Sequence, residues 1–217
     1  MLMKKNMYSL ILSEDVVAEI DRLAYEHGMN RSNFIDGVLA EYCRMVTPEM
    51  RMRNIFDRVL ELCEGSRFLP SKEANSGIMT LRTSLEYKYH PTVKYDVQLF
   101  RRRGHAFGQL RVGLRSQNME LLRVLGDFFN LFATIEEKYA VETSRRGVYA
   151  FDGARFTRTL VLPEARDYDA SDIADAINAY IIMLDGMLNA YFAGRYKTDF
   201  DMERDYVKYI SNIPLRI

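Results

Sequence analysis

The chain has 217 residues, 48% of them hydrophobic and 28% charged, and its 30 basic side chains balance its 30 acidic ones. This composition is that of a folded protein and excludes an intrinsically disordered chain. No apolar run approaches the ~20 residues of a membrane span or forms a signal peptide, so we expect a cytoplasmic protein. The length accommodates a small module attached to a larger domain, and we expect two unequal parts.

The neutral total hides an uneven distribution of charge along the chain. Residues 1–50 carry a net charge of −3, whereas residues 101–166 carry +5. The middle of the chain is therefore the part whose charge suits an anionic partner.

A short strand followed by two helices is predicted at the start of the chain. Over residues 7–12 the side chains alternate, so one strand face would carry Tyr8, Leu10 and Leu12 and the other Met7, Ser9 and Ile11. Ser13 is the expected N-cap of the first helix, which Gly28 should end. Asn30 or Ser32 is expected to cap the second helix.

This order of strand, helix, glycine turn and helix resembles the ribbon-helix-helix family of DNA-binding proteins, the class of the Arc and methionine repressors. The resemblance covers residues 6–45. It implies an intertwined dimer, in which two strands pair into an antiparallel ribbon and four helices share one core. The ribbon of such a dimer enters the major groove of B-DNA, where the base edges can be read.

The resemblance also implies which residues contact DNA: Lys4, Lys5, Met7, Ser9, Ile11, Asn30, Arg31 and Ser32. The strand residues would face the bases, and the two lysines would lie near phosphates. The last three would form a phosphate clamp, because free main-chain amides and the helix dipole attract an anion. Met7 and Ile11 can touch thymine methyl groups but cannot hydrogen-bond a base edge.

A third helix is predicted from Thr47 to Gly65, with Pro48 in its first turn. The loop from Gly65 to Gly77 is rich in turn residues and is the expected domain boundary. The predicted organisation is a ribbon-helix-helix domain over 1–46, a connecting helix over 47–66 and a C-terminal domain over 67–217.

Alternating side chains predict antiparallel strands with one buried face in the C-terminal domain. They lie over residues 85–89, 93–99 and 107–114, and a further strand over 155–162 ends at Pro163.

Two long helices complete this domain. The first is predicted over residues 118–139 with Ser116 as its cap, and the second over 171–194 with Asp169 and Asp172 near its start. The predicted fold class is α+β, a two-layer arrangement of an antiparallel sheet and two long helices.

Arginines of the basic middle form a possible secondary nucleic-acid site. Arg101, Arg102 and Arg103 lie in a predicted hairpin connection, and further arginines enlarge the region: Arg111, Arg115, Arg145, Arg146, Arg155 and Arg158. If they converge, they would contact phosphates. Alternatively, they only keep the outer face of the sheet in contact with water.

The sequence contains no pattern typical of a catalytic or metal site. His90 and His105 are separated by 14 residues and have no cysteine near them, and Cys43 and Cys63 lack the spacing of a zinc or redox site. We expect no enzymatic activity, metal or cofactor, and we expect both cysteines to serve in packing.

The sequence therefore predicts a homodimeric, DNA-binding transcriptional regulator whose C-terminal domain oligomerises or senses an effector. Its expected partners are double-stranded DNA and further copies of itself, and it would be associated with the nucleoid. Two alternatives remain open: a dimeric interaction scaffold that does not bind DNA, and a nucleoid or partition protein of low sequence specificity.

Overall fold

A computed structural model of the chain describes residues 6–72, 77–101, 106–139, 148–163 and 168–217. These ranges contain six helices and one antiparallel sheet of six strands, which confirms the predicted α+β class. The helices are α1 (Glu14–Glu26), α2 (Arg31–Tyr42), α3 (Pro48–Cys63), α4 (Met119–Tyr139), α5 (Ala170–Phe192) and α6 (Asp199–Asn212). The strands are β1 (Leu69–Lys72), β2 (Ile78–Ser84), β3 (Thr92–Leu99), β4 (Ala106–Leu114), β5 (Tyr149–Phe151) and β6 (Arg155–Val161).

The sheet has the order β1-β2-β3-β4-β6-β5, with every neighbouring pair antiparallel. Burial alternates along β3, β4 and β6, so one face is buried and the other stays exposed or half-buried. The buried face belongs to the same hydrophobic core as α3, α4, α5 and α6. The second face, which we call the open face, is polar.

Helices α3, α4, α5 and α6 form a single layer whose centre is α5. It packs against α3 on one side and against α4 and α6 on the other, while α3 also contacts β1 and α4 contacts β5 at opposite edges of the sheet. A central position explains why α5 is buried along nearly its whole length. None of the helices within the described ranges is both long enough and apolar enough to cross a membrane.

The connecting helix α3 lies in this layer and not between two separate bodies. Its residues Ile55, Phe56 and Val59 join the core of the sheet, and Thr47 caps it by accepting a hydrogen bond from the amide of Met50 (3.1 Å). The segment expected to be a boundary loop, 65–77, contains β1, which pairs with β2. Residues from 47 onward therefore share one core.

A buried polar network joins the sheet to α5. The hydroxyl of Tyr95 donates to Asp185 Oδ1 (2.8 Å), and Arg67 forms an ion pair with Asp185 Oδ2. Asn189 accepts from the amide of Glu86 (2.7 Å) and donates to the carbonyl oxygen of Asp185 (2.8 Å). Burial raises the pKa of the Asp185 carboxyl, although Tyr95 and Arg67 oppose this.

One predicted strand is wrong. Residues 85–89 form a turn, in which Leu85 donates to the carbonyl oxygen of Pro91 (2.9 Å), and Tyr89 and His90 both adopt positive φ. The strand that pairs with β3 is β2, seven residues earlier in the chain. The strand was predicted because Leu85 and Tyr87 alternate with polar residues. Both side chains do contact the core, but from a turn and not from a strand.

The predicted long helices are confirmed, but one cap and one helix differ. Asn118, and not Ser116, caps α4, since its side chain accepts from the amide of Leu121 (3.1 Å). Helix α6 was not predicted, although Asp201 accepts from the amide of Thr198 (3.1 Å) in the manner of a capping box.

Candidate nucleic-acid interface

The N-terminal segment over residues 6–13 has no strand pairing with the rest of the described residues. Met7 and Ile11 are 99% and 102% exposed, whereas Leu10 and Leu12 on the other side of the segment are 53% and 41% exposed. The leucines follow the predicted alternation, but Tyr8, on their side of the segment, is 85% exposed. A ribbon between two copies is a property of a dimer, so within one chain it stays a prediction.

Helices α1 and α2 pack against each other but bury very little. Ala24 is the only fully buried residue of α1, and Ala40 the only one of α2. The predicted glycine turn is confirmed, since Gly28 has φ +59° and the amide of Met29 donates to the carbonyl oxygen of Ala24 (2.8 Å). Large apolar side chains of the two helices remain exposed: Val16, Tyr25, Val38, Leu39 and Tyr42.

The start of α2 has the geometry of a helix N-terminus. Of the two predicted caps, Asn30 is the one used, and its side chain accepts from the amide of Asn33 (2.8 Å). The amides of Arg31 and Ser32 have no intrahelical acceptor, as at any helix start. The side chain of Arg31, however, forms a bidentate ion pair with Asp21 of α1, which raises the pKa of the guanidinium.

The predicted DNA contacts therefore divide into two groups. Met7, Ser9 and Ile11 are exposed on the N-terminal segment, while Asn30 and Ser32 lie at the start of α2 beside the paired Arg31. Lys4 and Lys5 lie outside the described residues.

The described arginines of the basic middle divide among separate parts of the fold. Arg101 lies beside Glu49 of α3 (Nε to Oε1, 3.6 Å), and Arg111 and Arg155 lie on the open face. Arg102, Arg103, Arg145 and Arg146 lie outside the described residues.

Arg158 is not part of any basic surface, which corrects the prediction. It is buried at 2% exposure beneath α4 and α5, where Glu136 is 1% exposed. Its guanidinium binds both oxygens of Glu136 (Nη2 to Oε1 2.8 Å, Nε to Oε2 3.2 Å) and donates to the carbonyl oxygen of Ile217. Burial is the largest single influence and would lower the pKa of Arg158, but Glu136 together with Tyr180 and Tyr149 outweighs it, so the pKa is raised.

Aromatic side chains enclose this ion pair. The guanidinium lies over the ring of Tyr180 (4.4 Å from carbon to ring centroid), and the Tyr180 hydroxyl donates to Glu136 (2.9 Å). An adjoining cavity of about 30 Å³, lined by tyrosines that include Tyr206 and Tyr209, has room for a water molecule but not for an organic effector.

Two cations that sequence analysis did not single out, Arg82 and Lys94, lie on the open face with Arg111 and Arg155. Register places Arg82 opposite Lys94, Lys94 opposite Gly113, and Gly113 opposite Arg155. We call Arg82, Lys94 and Arg155 the cation row. The alternation of β3 predicts that Lys94 faces outward. The strand beside β3 was predicted at residues 85–89 instead of at β2, so the position of Arg82 opposite Lys94 could not be inferred from the sequence.

The arrangement of the described side chains does not support a metal-binding site. Within the described ranges no three histidine, cysteine or acidic side chains are grouped so as to hold a metal ion. Cys63 is buried as expected of a packing residue, whereas Cys43 is exposed, which contradicts that expectation within one chain.

Comparisons with protein-family models, with curated proteins and with solved structures found no match to this chain.

Proposed function

We propose that this chain is a homodimeric, DNA-binding transcriptional regulator whose N-terminal segments pair into a ribbon for the major groove. One observation carries the proposal: residues 6–45 hold two helices that bury one alanine each and a segment with fully exposed Met7 and Ile11. A module of this size cannot be stable with so much exposed apolar surface unless a partner covers it.

A second copy of the chain is the partner that the pattern favours. Leu10 and Leu12 are less exposed than Met7 and Ile11, and α1 and α2 carry further exposed apolar residues. Pairing of two such segments would satisfy their main-chain hydrogen bonds and enclose these residues. Met7, Ser9 and Ile11 would then remain outward, on the face that enters the groove.

The start of α2 supports contact with phosphate. The amides of Arg31 and Ser32 point out of the helix N-terminus, where the dipole favours an anion. In this proposal they fix the register of the protein on DNA, while the ribbon reads the bases. The C-terminal sheet and its helices would then serve oligomerisation or effector sensing.

A dimeric scaffold that does not bind DNA is the second candidate, and the Arg31–Asp21 ion pair favours it. That pair occupies the one cation at the expected phosphate clamp, in a region whose net charge is −3 over residues 1–50. Phosphate binding normally depends on free cations. A nucleoid or partition protein would differ from a regulator only in its weaker sequence preference.

The dimer is tested by sedimentation equilibrium with two matched variants. Leu10→Glu places a charge on the predicted core side of the segment and should give a monomer, whereas Met7→Glu changes the outward side and should leave the dimer intact. A monomeric wild type, or a dimer unaffected by Leu10→Glu, would refute the ribbon.

DNA binding is tested by fluorescence anisotropy with a random-sequence duplex of about 30 base pairs, long enough for two half-sites one turn apart. Ser9→Glu should abolish binding because it brings a carboxylate to the phosphates, whereas Ser211→Glu, an exposed position on α6, should bind as the wild type does. A wild-type dimer that does not bind the duplex at about 50 mM salt would favour the scaffold.

A further inference from the structure

The open face of the sheet carries a charge pattern that the fold itself does not need. Arg82, Lys94 and Arg155 are exposed and Arg111 is half-buried, while Asp96 is the acidic residue among them. Asp96 accepts a hydrogen bond from Thr80 (2.5 Å), its neighbour on β2. The described part of this face therefore has a net excess of positive charge.

Three of these four cations lack ion-pair partners among the residues that the structure describes. Other exposed arginines are paired on their own helix, as Arg123 is with Asp127 (2.8 Å) and Arg204 with Asp201 (3.2 Å). On the open face, Arg111 donates to the neutral Gln109 (3.1 Å), and none of the described carboxylates lies within 4.0 Å of Arg82 or Lys94. Arg155 differs, since its charge acts on the carboxylate of Asp152 in the β5–β6 turn and helps to lower the pKa of that carboxyl.

The register of the sheet makes this arrangement costly for the chain alone. Arg82 and Lys94 are directly opposite across β2 and β3, and like charges in that position destabilise a sheet. Gly113, which has no side chain, lies between Lys94 and Arg155 on the intervening strand β4. The Cα atoms of Lys94 and Arg155 are therefore two strand spacings apart, about 10 Å. A bound polyanion would offset this repulsion between like charges.

We propose that the open face is a phosphate-binding surface for duplex DNA, formed by the cation row and Arg111. The proposal deepens the proposed function and rests on it only for the identity of the polyanion. It supplies the free cations that the N-terminal region, with its paired Arg31, does not present.

Two observations favour duplex DNA over other partners. No aromatic side chain occupies an outward position within β2, β3, β4 or β6, whereas single strands are bound by stacking bases on aromatic rings. Apolar residues on this face, such as Leu69 and Val161, lie at its margins, so it has no hydrophobic centre of the kind that protein partners use.

The test compares two variants of the full chain with the same change in charge. The sheet-face variant carries Arg82→Thr, Lys94→Thr and Arg155→Thr, and threonine suits a strand. The control variant carries Arg58→Gln, Arg123→Gln and Arg204→Gln, three exposed arginines that are paired on helices. Affinity for the random duplex is measured between about 50 and 200 mM salt.

Loss of three phosphate contacts should lower the salt slope, log K against log salt, by about 2.7. Between about 50 and 200 mM salt the wild type should therefore lose about 40-fold more affinity than the sheet-face variant. The control variant should keep the wild-type slope. The single variant Arg82→Thr, which relieves the opposed pair, should show a slope change of about 0.9.

The outcomes separate this inference from the ribbon proposal. An unchanged slope in the sheet-face variant, with binding lost in Ser9→Glu, would overturn the inference and leave the ribbon standing. Binding that survives Ser9→Glu but is lost in the sheet-face variant would support the inference and refute the ribbon. A wild type that does not bind duplex at about 50 mM salt, or that prefers a single strand through the cation row, would overturn the assignment to duplex DNA.

Discussion

The buried ion pair between Glu136 and Arg158 gives a sharp test of how the helix layer and the sheet are held together. In Glu136→Gln the guanidinium stays buried at 2% exposure but loses its counter-charge. Its remaining described acceptors are the new amide oxygen and the carbonyl oxygen of Ile217, while Arg158 Nη1 already has no hydrogen-bond partner. Breaking a buried pair in this way costs about 3–5 kcal/mol.

For a chain of this size, a loss of that magnitude should lower Tm by about 6–20 °C, because 1 kcal/mol corresponds to about 2–4 °C. The assay is urea and thermal unfolding followed by circular dichroism. Glu137→Gln is the matched control, since it makes the same chemical change at the adjacent, exposed position and should stay within about 0.5 kcal/mol of the wild type.

Replacing both partners should recover most of the loss. In the double variant Glu136→Met, Arg158→Met no charge is left buried, and apolar side chains of similar length can fill the space beside Tyr180. A Glu136→Gln protein within about 1 kcal/mol of the wild type would refute the reasoning, because it would show that the guanidinium is not desolvated as its burial indicates.

Four further changes test other parts of the fold. Gly186 is exposed within α5, and an added Cβ meets no atom within 4 Å, so Gly186→Ala should raise the free energy of unfolding by about 0.5–1 kcal/mol in urea titrations. Gly108→Ala should lower it, since its Cβ would lie 2.7 Å from the carbonyl oxygen of Gln98; an unchanged midpoint would contradict that clash. Thr47→Ala removes the cap of α3 and should cost about 1 kcal/mol, measurable as a lower urea midpoint. Burial raises the pKa of Asp185 above its ordinary 3.8, so the folded state holds this proton to higher pH than the unfolded state. Stability from this group should therefore fall as pH rises from 3.8 through the raised pKa, and Asp185→Asn should remove that part of the pH dependence of unfolding; an identical dependence in both proteins would contradict it.

Local sequence signals were sufficient where the structure depends on neighbouring residues. Gly28 ends α1, Asn30 caps α2 and Asp169 caps α5, accepting from the amide of Asp172 (2.7 Å). Each cap depends on a side chain three residues from the amide that it satisfies, and Gly28 acts through its own freedom to adopt positive φ.

Local signals failed where a residue's role depends on distant partners. Leu85 and Tyr87 alternate as a strand would, yet they form a turn over the core. Arg158 shares the buried side of β6 with Phe156 and Leu160, but its partner Glu136 lies on α4, 22 residues away in the chain. Neither the turn nor the ion pair can be inferred from the residues beside it.

The sequence was sufficient to predict the caps of α2 and α5, the alternating strands β3, β4 and β6, and the mixed α+β class. Which strand pairs with β3, and therefore the row formed by Arg82, Lys94 and Arg155, depended on tertiary contacts, as did the choice of Glu136 as the partner of the buried Arg158. The physical reason is that cross-strand register and burial arise from contacts between residues far apart in the chain, and a one-residue shift of register would exchange the two faces of a strand.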